Sequence, residues 1–391
     1  MDHPPVPIEE EEEEGDADQM KKKRRRIERE WFLFCQPFFP IDLCYLEDPS
    51  YERIKPKELE VDTSRFTSEH LCSIGTCNGL LCLGELYRGR NPVYIIDPIN
   101  NRFLTIRSPN PHPDIVEKPG FKSGLGYDDV SGVYKVLRLY RIEDFMMQFY
   151  TFCSICTVHP EHGAMGWRSL DRMENIFVAE GQSGVFFRGK LYFLVVGDFG
   201  EVLCFDVAKE KFSKIPGPAQ LERVAVDLLY LALFEGKLVL LFMNFPELLF
   251  RIWSINDDSS WSVLFDVPFN PAYEGKFYHI KPLKHMPDGC LLMYDDFHGE
   301  LISCDYRMKE PKHIILLGHL KRYDVFPFTP DFKFDVTTRG DGTVRLSEVQ
   351  DEGGTPLQVL RARDKISQNI MKLVAPKILF GFTEKGHLHL S

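Results

Sequence analysis

Short apolar runs recur along this chain, and the clearest of them are opened by a dipeptide ending in glycine. Asn78-Gly79 leads into Leu80-Leu81-Cys82-Leu83, Ser131-Gly132 into Val133-Tyr134-Lys135-Val136-Leu137, Arg188-Gly189 into Lys190-Leu191-Tyr192-Phe193-Leu194, and Glu235-Gly236 into Lys237-Leu238-Val239-Leu240-Leu241. Asp288-Gly289, Asp341-Gly342 and Lys385-Gly386 carry the same signature. A type I′ hairpin turn needs positive φ at two successive residues, and Asn-Gly is its strongest short signal. From Gly79 onward the glycines are spaced 53, 57, 47, 53, 53 and 44 residues apart. That is too even for unrelated loops and close to the ~40 to 50 residues of one propeller blade.

The most complete copy spans residues 181–218. Gly184-Val185-Phe186-Phe187 precedes the turn, Lys190 to Val196 follows it, and Val202 to Val207 and Lys211 to Pro216 supply two more strands. From Trp31 the N-terminal part reads as outer strands without inner ones: Leu43-Cys44-Tyr45 aligns with Leu203-Cys204-Phe205, and Ile54-Lys55-Pro56 with Ile215-Pro216. The C-terminal part, Ile378 to Phe382 and His387 to Leu390, reads as inner strands without outer ones. The expectation is an all-β propeller over residues 31–391, seven-bladed by hairpin count with six blades as the alternative, closed by pairing Asp42 to Pro56 with Ile378 to Leu390. Closure of that kind removes exposed sheet edges. The copy around Gly342 is the weakest, since Pro327 to Asp335 looks like loop.

Strands such as Leu191 to Val196 are apolar on both faces, as stacked blades require. Composition agrees: 44% of residues are hydrophobic, and 13% are aromatic, a bias toward strands. No run approaches 18 uninterrupted apolar residues and the N-terminus has no apolar signal core, so the chain reads as neither membrane-spanning nor secreted. The ten cysteines lie mostly inside apolar runs, which fits reduced core thiols in the cytosol or nucleus. Cys153 and Cys156 are three apart in a strand and so face opposite ways, which argues against a metal knuckle.

Residues 1–30 form two charged blocks, Glu9 to Glu14 and Lys21-Lys22-Lys23-Arg24-Arg25-Arg26, which cannot bury apolar surface and are expected to be a disordered tail. Lys21, Lys22, Lys23, Arg24, Arg25 and Arg26 are the candidate nuclear localisation signal, placing the protein in the nucleus, the cytoplasm or both. The tail holds 11 acidic and 7 basic residues, so the body keeps −7 of the net −11, which disfavours nucleic acid as a partner.

Candidate chemistry is sparse. There is no Walker loop, His-Glu-x-x-His helix or Gly-x-Ser-x-Gly elbow. Gly124-Leu125-Gly126 lacks a third glycine at dinucleotide spacing and reads as a sheet feature. Asp128-Asp129 and Asp295-Asp296 lie beside turns, where such residues are common. His387 and His389 share a strand face at a chain end with no third ligand nearby. Trp167 and Trp261 each sit in the last strand of a copy, where a large ring fills the widening gap between blades. No catalytic residue, cofactor or metal site is assigned, and the chain reads as a binding protein rather than an enzyme.

Several of these stretches resemble a known family. Gly75-Thr76-Cys77-Asn78-Gly79-Leu80-Leu81-Cys82-Leu83, Ile96-Asp97-Pro98-Ile99-Asn100-Asn101, Gly124-Leu125-Gly126-Tyr127-Asp128, Tyr134-Lys135-Val136-Leu137-Arg138 and Gly189-Lys190-Leu191-Tyr192-Phe193-Leu194 look, in order and spacing, like the F-box-associated β-propeller domain of plant F-box proteins. The resemblance covers roughly residues 31–320 and includes kelch-like repetition. It implies that loops on one face of the ring grip a protein target for ubiquitination. In that family an N-terminal F-box docks the small adaptor of a cullin-RING ligase. Thirty mostly charged residues precede Trp31 here, so the expectation is target binding without direct adaptor docking; the alternatives are a ligase adaptor whose F-box the gene model lacks, a propeller enzyme, or a glycan binder.

Overall fold

Three N-terminal strands, β1 (Trp31–Cys35), β2 (Leu43–Glu47) and β3 (Lys57–Leu59), begin the ring without completing a blade. Five complete blades follow, each a sheet of four consecutive antiparallel strands. The first holds β4 (Leu71–Cys77), β5 (Leu80–Glu85), β6 (Val93–Asp97) and β7 (Arg102–Ile106), and the second β8 (Lys122–Asp128), β9 (Val133–Glu143), β10 (Phe149–His159) and β11 (Gly163–Glu174). The third holds β12 (Val185–Phe187), β13 (Lys190–Leu194), β14 (Val202–Asp206) and β15 (Lys211–Ile215). The fourth holds β16 (Leu229–Phe234), β17 (Lys237–Asn244), β18 (Leu249–Ile255) and β19 (Trp261–Pro268), and the fifth β20 (Ile280–His285), β21 (Leu291–Asp295), β22 (Glu300–Cys304) and β23 (Pro311–Leu316). A closing sheet in the order β24-β1-β2-β3 takes its innermost strand, β24 (Asp324–Phe328), from far along the chain.

This computed structural model describes residues 31–35, 43–47, 57–59, 66, 71–85, 92–98, 102–107, 122–143, 149–160, 162–174, 176–178, 183–196, 200–221, 229–244, 247, 249–268, 280–286, 289–295, 300–305, 311–316, 324–328, 336–338 and 344–346. All of them belong to one unit, Met1–Glu348; the second unit, Val349–Ser391, lies outside the described residues, as do residues 1–30.

Three of the x-Gly hairpins form with positive φ at both turn residues, as the sequence reading requires. Asn78 and Gly79 adopt φ of 47° and 75°, Arg188 and Gly189 the same pair of values, and Glu235 and Gly236 47° and 67°. Each turn joins the first two strands of a blade, which fixes the register of Cys77 on Leu80, Phe187 on Lys190 and Phe234 on Lys237.

The core lies between blades. Ile74, Leu80, Cys82 and Val93 of the first blade meet Leu125, Val136 and Cys156 of the second; Leu137, Leu139 and Ile155 on the opposite face meet Leu191, Phe193 and Phe205 of the third. Four more clusters join third to fourth, fourth to fifth, fifth to closing sheet, and closing sheet to first, so the ring is complete. Cys153 and Cys156 fall in different clusters, facing opposite ways. Glycines let the inner strands approach. A Cβ on Gly126 would stand 2.7 Å from Cγ2 of Val207, and one on Gly184 would stand 2.5 Å from the Phe193 ring.

The structure corrects the seven-blade expectation. Five blades are built from consecutive strands, and the closing sheet completes the ring without a seventh. The Gly342 hairpin forms only the two-stranded sheet of β25 (Val336–Thr338) and β26 (Val344–Leu346), and the Gly386 hairpin lies outside the described residues. Closure does mix strands from distant parts of the chain, but one strand meets three, rather than two meeting two. The place beside β2 that Ile378 to Leu390 was expected to fill is held by β1, with β24 beyond it, and Ile378 to Leu390 itself lies outside the described residues.

Candidate protein-binding site

Antiparallel order gives the ring two unlike faces. On one, the first and second strands of the five complete blades, and the third and fourth, are joined by connections of two to six residues. On the other lie the strand ends from which the chain leaves one blade for the next, through seven to fifteen residues. Connections of that length are where binding residues concentrate on a rigid scaffold.

The second blade is taller than its neighbours on this loop-bearing side. Its inner strand β8 begins at Lys122, opposite Leu139, whereas β9 continues through Tyr140 to Glu143, paired with Phe149 to Phe152 of β10. At ~3.3 Å per residue the extension rises on the order of 13 Å. It carries polar and aromatic groups: the Tyr140 hydroxyl lies 2.7 Å from Ser154 Oγ, and the Arg172 guanidinium lies 4.7 Å from the Tyr150 ring centre.

The same end of the central channel carries a polar belt. Asp324 at the start of β24 accepts a hydrogen bond from Ser73 of the first blade and lies 3.6 Å from Lys281 Nζ of the fifth. Ser183 Oγ, just before β12, donates to the Ser73 carbonyl at 3.1 Å. Lys281 is buried, and its ammonium also sits 4.9 Å from the Tyr230 ring centre. Contacts therefore run across the ring axis as well as around it.

The tight-turn face is fastened by charge. Asp128 accepts hydrogen bonds from Val130 N, Ser131 N and Ser131 Oγ, closing its own turn. Lys135 Nζ lies 3.0 Å from Asp128 and 3.0 Å from Glu210 and donates to the Val207 carbonyl at 2.8 Å, crossing from the second blade to the third; Arg168 also pairs with Glu210. Burial alone would raise the Asp128 carboxyl, but the hydrogen bonds from Ser131 and Lys135 and the lysine charge outweigh it and hold it at about 2. Asp128 ends β8 beside its turn as expected, and Asp295 likewise ends β21, with residues 296–299 after it outside the described residues; both are buried.

Both tryptophans lie where the sequence put them, in the fourth strand of a blade, half-buried against the preceding one. Arg138, missed by the sequence reading as a site, is buried with its guanidinium 4.7 Å from the Trp167 ring centre. Its signal was one charge inside the apolar run Val136 to Leu139. Among the residues whose side chains are described, nine cysteines are free thiols, eight of them buried; burial pushes Cys72 and Cys153 up to about 12 and Cys156 and Cys304 up to about 11, away from nucleophilic reactivity. Lys21, Lys22, Lys23, Arg24, Arg25, Arg26, His387 and His389 lie outside the described residues. Among the described residues no group of three or more His, Cys, Asp or Glu could hold a metal ion, and no helix is long and apolar enough to cross a membrane.

Comparison with known proteins places this architecture. The model of the F-box-associated β-propeller domain matches residues 36–317. Arabidopsis thaliana relatives named for the F-box include At1g33530, 27% identical over 166 residues (41% of this chain and 33% of the relative), and At4g21240, 24% identical over 300 residues (68% and 63%). The F-box protein At1g11270 of the same plant is 24% identical over 206 residues, 50% of this chain and 63% of the relative. The chain thus spans between a third and two thirds of the length of these relatives. Among solved structures, a chain of a nidogen/laminin complex has a TM-score of 0.42 at 11% identity, covering 78% of this chain and all of that one. A likeness at that level says nothing of what the chain binds. With its motifs, its blades and a family match over most of its length, the chain belongs to the family of the F-box-associated β-propeller domain.

Proposed function

We propose that this propeller is a target-recognition module of the plant F-box type, which grips a protein through its loop-bearing face and performs no catalysis. The observation that carries the reading is the inequality of the two faces. Blade-to-blade connections, the raised second blade and the polar channel mouth share one side, whereas the other is closed by short turns and fastened by ion pairs. A ring with its longer connections on one side suits recognition of a folded partner.

The test is capture of interacting plant proteins by the tagged full chain, by a loop-face variant (Tyr150→Asp with Arg172→Glu), and by a turn-face control (Thr76→Ala). Loss of one set of partners with the loop-face variant alone supports the reading; loss with the turn-face control alone overturns it. Delivery of the target to a ubiquitin ligase is the function the family suggests. Direct docking to the ligase adaptor and simple occupancy of the target are separated by a pull-down with purified adaptor and by whether overexpression lowers or raises the target.

The basic run Lys21 to Arg26 supports a second element of the proposal, nuclear entry, through six consecutive positive charges.

A further inference from the structure

The tight-turn end of the third blade gathers cations in a body whose net charge is negative. Lys190 opens β13, Asp206 ends β14 and Lys211 opens β15, and the three stand directly opposite one another across the sheet. Lys209 in the intervening turn lies 3.7 Å from Asp206, and Arg188 in the adjacent hairpin turn lies 2.7 Å from Asp257 of the fourth blade. Asp206 is mostly covered, with 22% of its side chain exposed, and its other oxygen accepts from Lys209 N. Asp257 is 93% exposed, so its pair with Arg188 is a surface contact that another carboxylate can replace. Glu210 is occupied by Lys135 and Arg168. Among the described residues, Lys190 and Lys211 are exposed and have no ion pair. Four cations therefore face outward against one covered and one exchangeable carboxylate.

The chain supplies a matching anion. Trp31, the first residue of β1, pairs with Phe328, the last of β24. Beside it, Thr76 next to the first blade's hairpin turn bonds the Pro327 carbonyl, so Trp31 lies at the tight-turn face. In ring order the closing sheet stands opposite the third blade. The span between them is on the order of 30 Å, from strand spacings of ~4.8 Å on either side of a narrow channel. Glu14 precedes Trp31 by 17 residues, a reach of up to ~55 Å when extended. We infer that the acidic run Glu9 to Glu14 docks on Arg188, Lys190, Lys209 and Lys211 across the tight-turn face. Glu9 to Glu14 offers six contiguous carboxylates to a patch whose four cations meet only Asp206 and Asp257 among the described acidic groups. Docking there draws the acidic run away from Lys21 to Arg26 and leaves that basic run displayed for a separate reader. The contact itself does not depend on what the loop-bearing face binds.

Zero-length carbodiimide coupling of the full chain at low salt, followed by peptide mapping, tests this. The expected result is amide links from Glu9 to Glu14 to Lys190, Lys209 or Lys211, lost at 0.5 M salt as screening shortens the range of attraction to ~4 Å. Lys190→Glu with Lys211→Glu should remove at least four-fifths of the links to Lys209, whose amine those changes leave in place, and replacing Glu9 to Glu14 by Gln, which has no carboxyl to couple, identifies the acidic run as the source of every such link. Links confined to Lys21, Lys22 and Lys23, or links to the third blade that survive charge reversal, would overturn the assignment.

Discussion

Trp261 of the fourth blade donates its indole N–H to the carbonyl of Pro216, one residue past the last strand of the third, at 2.8 Å. Trp167 of the second blade does the same to Arg107, one residue past the last strand of the first, at 2.7 Å. The repetition identifies the bond as a seam fastener between outer strands. Trp261→Phe keeps most of the packing and loses the bond, so chemical denaturation should show a loss of ~1 kcal/mol. Trp261→Ala also empties the gap between blades and should cost ~3 kcal/mol.

Glycine is required for two separable reasons. At Gly126 the limit is space, and Gly126→Val should destabilise by ~2 kcal/mol through overpacking against Val207. At Gly189 there is nothing within 4 Å of an added Cβ, but φ is +75°. Gly189→Ala should cost ~1 kcal/mol, and Gly189→Asn should recover part of it, because Asn tolerates the left-handed region. Thermal unfolding of the three variants separates the two causes.

Acid should loosen the seam between the second and third blades. The Asp128 carboxyl lies below its ordinary value of 3.8, at about 2, so its stabilisation is complete above pH ~4 and lost as pH falls toward 2. The difference corresponds to ~2 kcal/mol. Asp128→Asn should therefore destabilise by about that amount at pH 7 and by progressively less between pH 4 and 2, as measured by urea unfolding at each pH.

Truncation locates the closing strand. A chain ending at Leu316 lacks β24 and exposes the inner edge of β1, so it should aggregate. A chain ending at Leu346 retains β24 and should remain monodisperse in light scattering. Asp324→Ala, which takes the carboxylate from Lys281 and Ser73, should cost ~2 kcal/mol.

Replacing all six of Lys21 to Arg26 by Ala in a fluorescent fusion should lower the nuclear share of the protein. An unchanged share would assign the run to solvation alone.

Hairpins were legible from the sequence because x-Gly turns are local: Arg188-Gly189 dictates its own φ angles and hence the pairing of Phe187 with Lys190. Closure was not. The strand Asp324-Val325-Phe326-Pro327-Phe328 holds a proline, which ordinarily argues against a strand. It is tolerated because β24 is innermost and pairs on one side only, with β1, a partner nearly 300 residues earlier. The apolar periodicity identified Trp167, Gly124 and Gly126 as structural but could not show that Lys135 and Arg138, on opposite sides of Val136 and Leu137, serve different seams. Which charge meets which depends on neighbouring blades, and that information is not local.

One strand completing three has a consequence for biosynthesis. β3 ends at Leu59 and β24 begins at Asp324, so about 265 residues are translated between them. At ~5 to 20 residues per second that takes roughly 13 to 53 seconds. Throughout that interval β1 emerges with its inner hydrogen-bonding edge open, while the five intervening blades fold one upon another. The first strands made are thus among the last to be secured, and the nascent chain's exposure to holding chaperones is set by its topology.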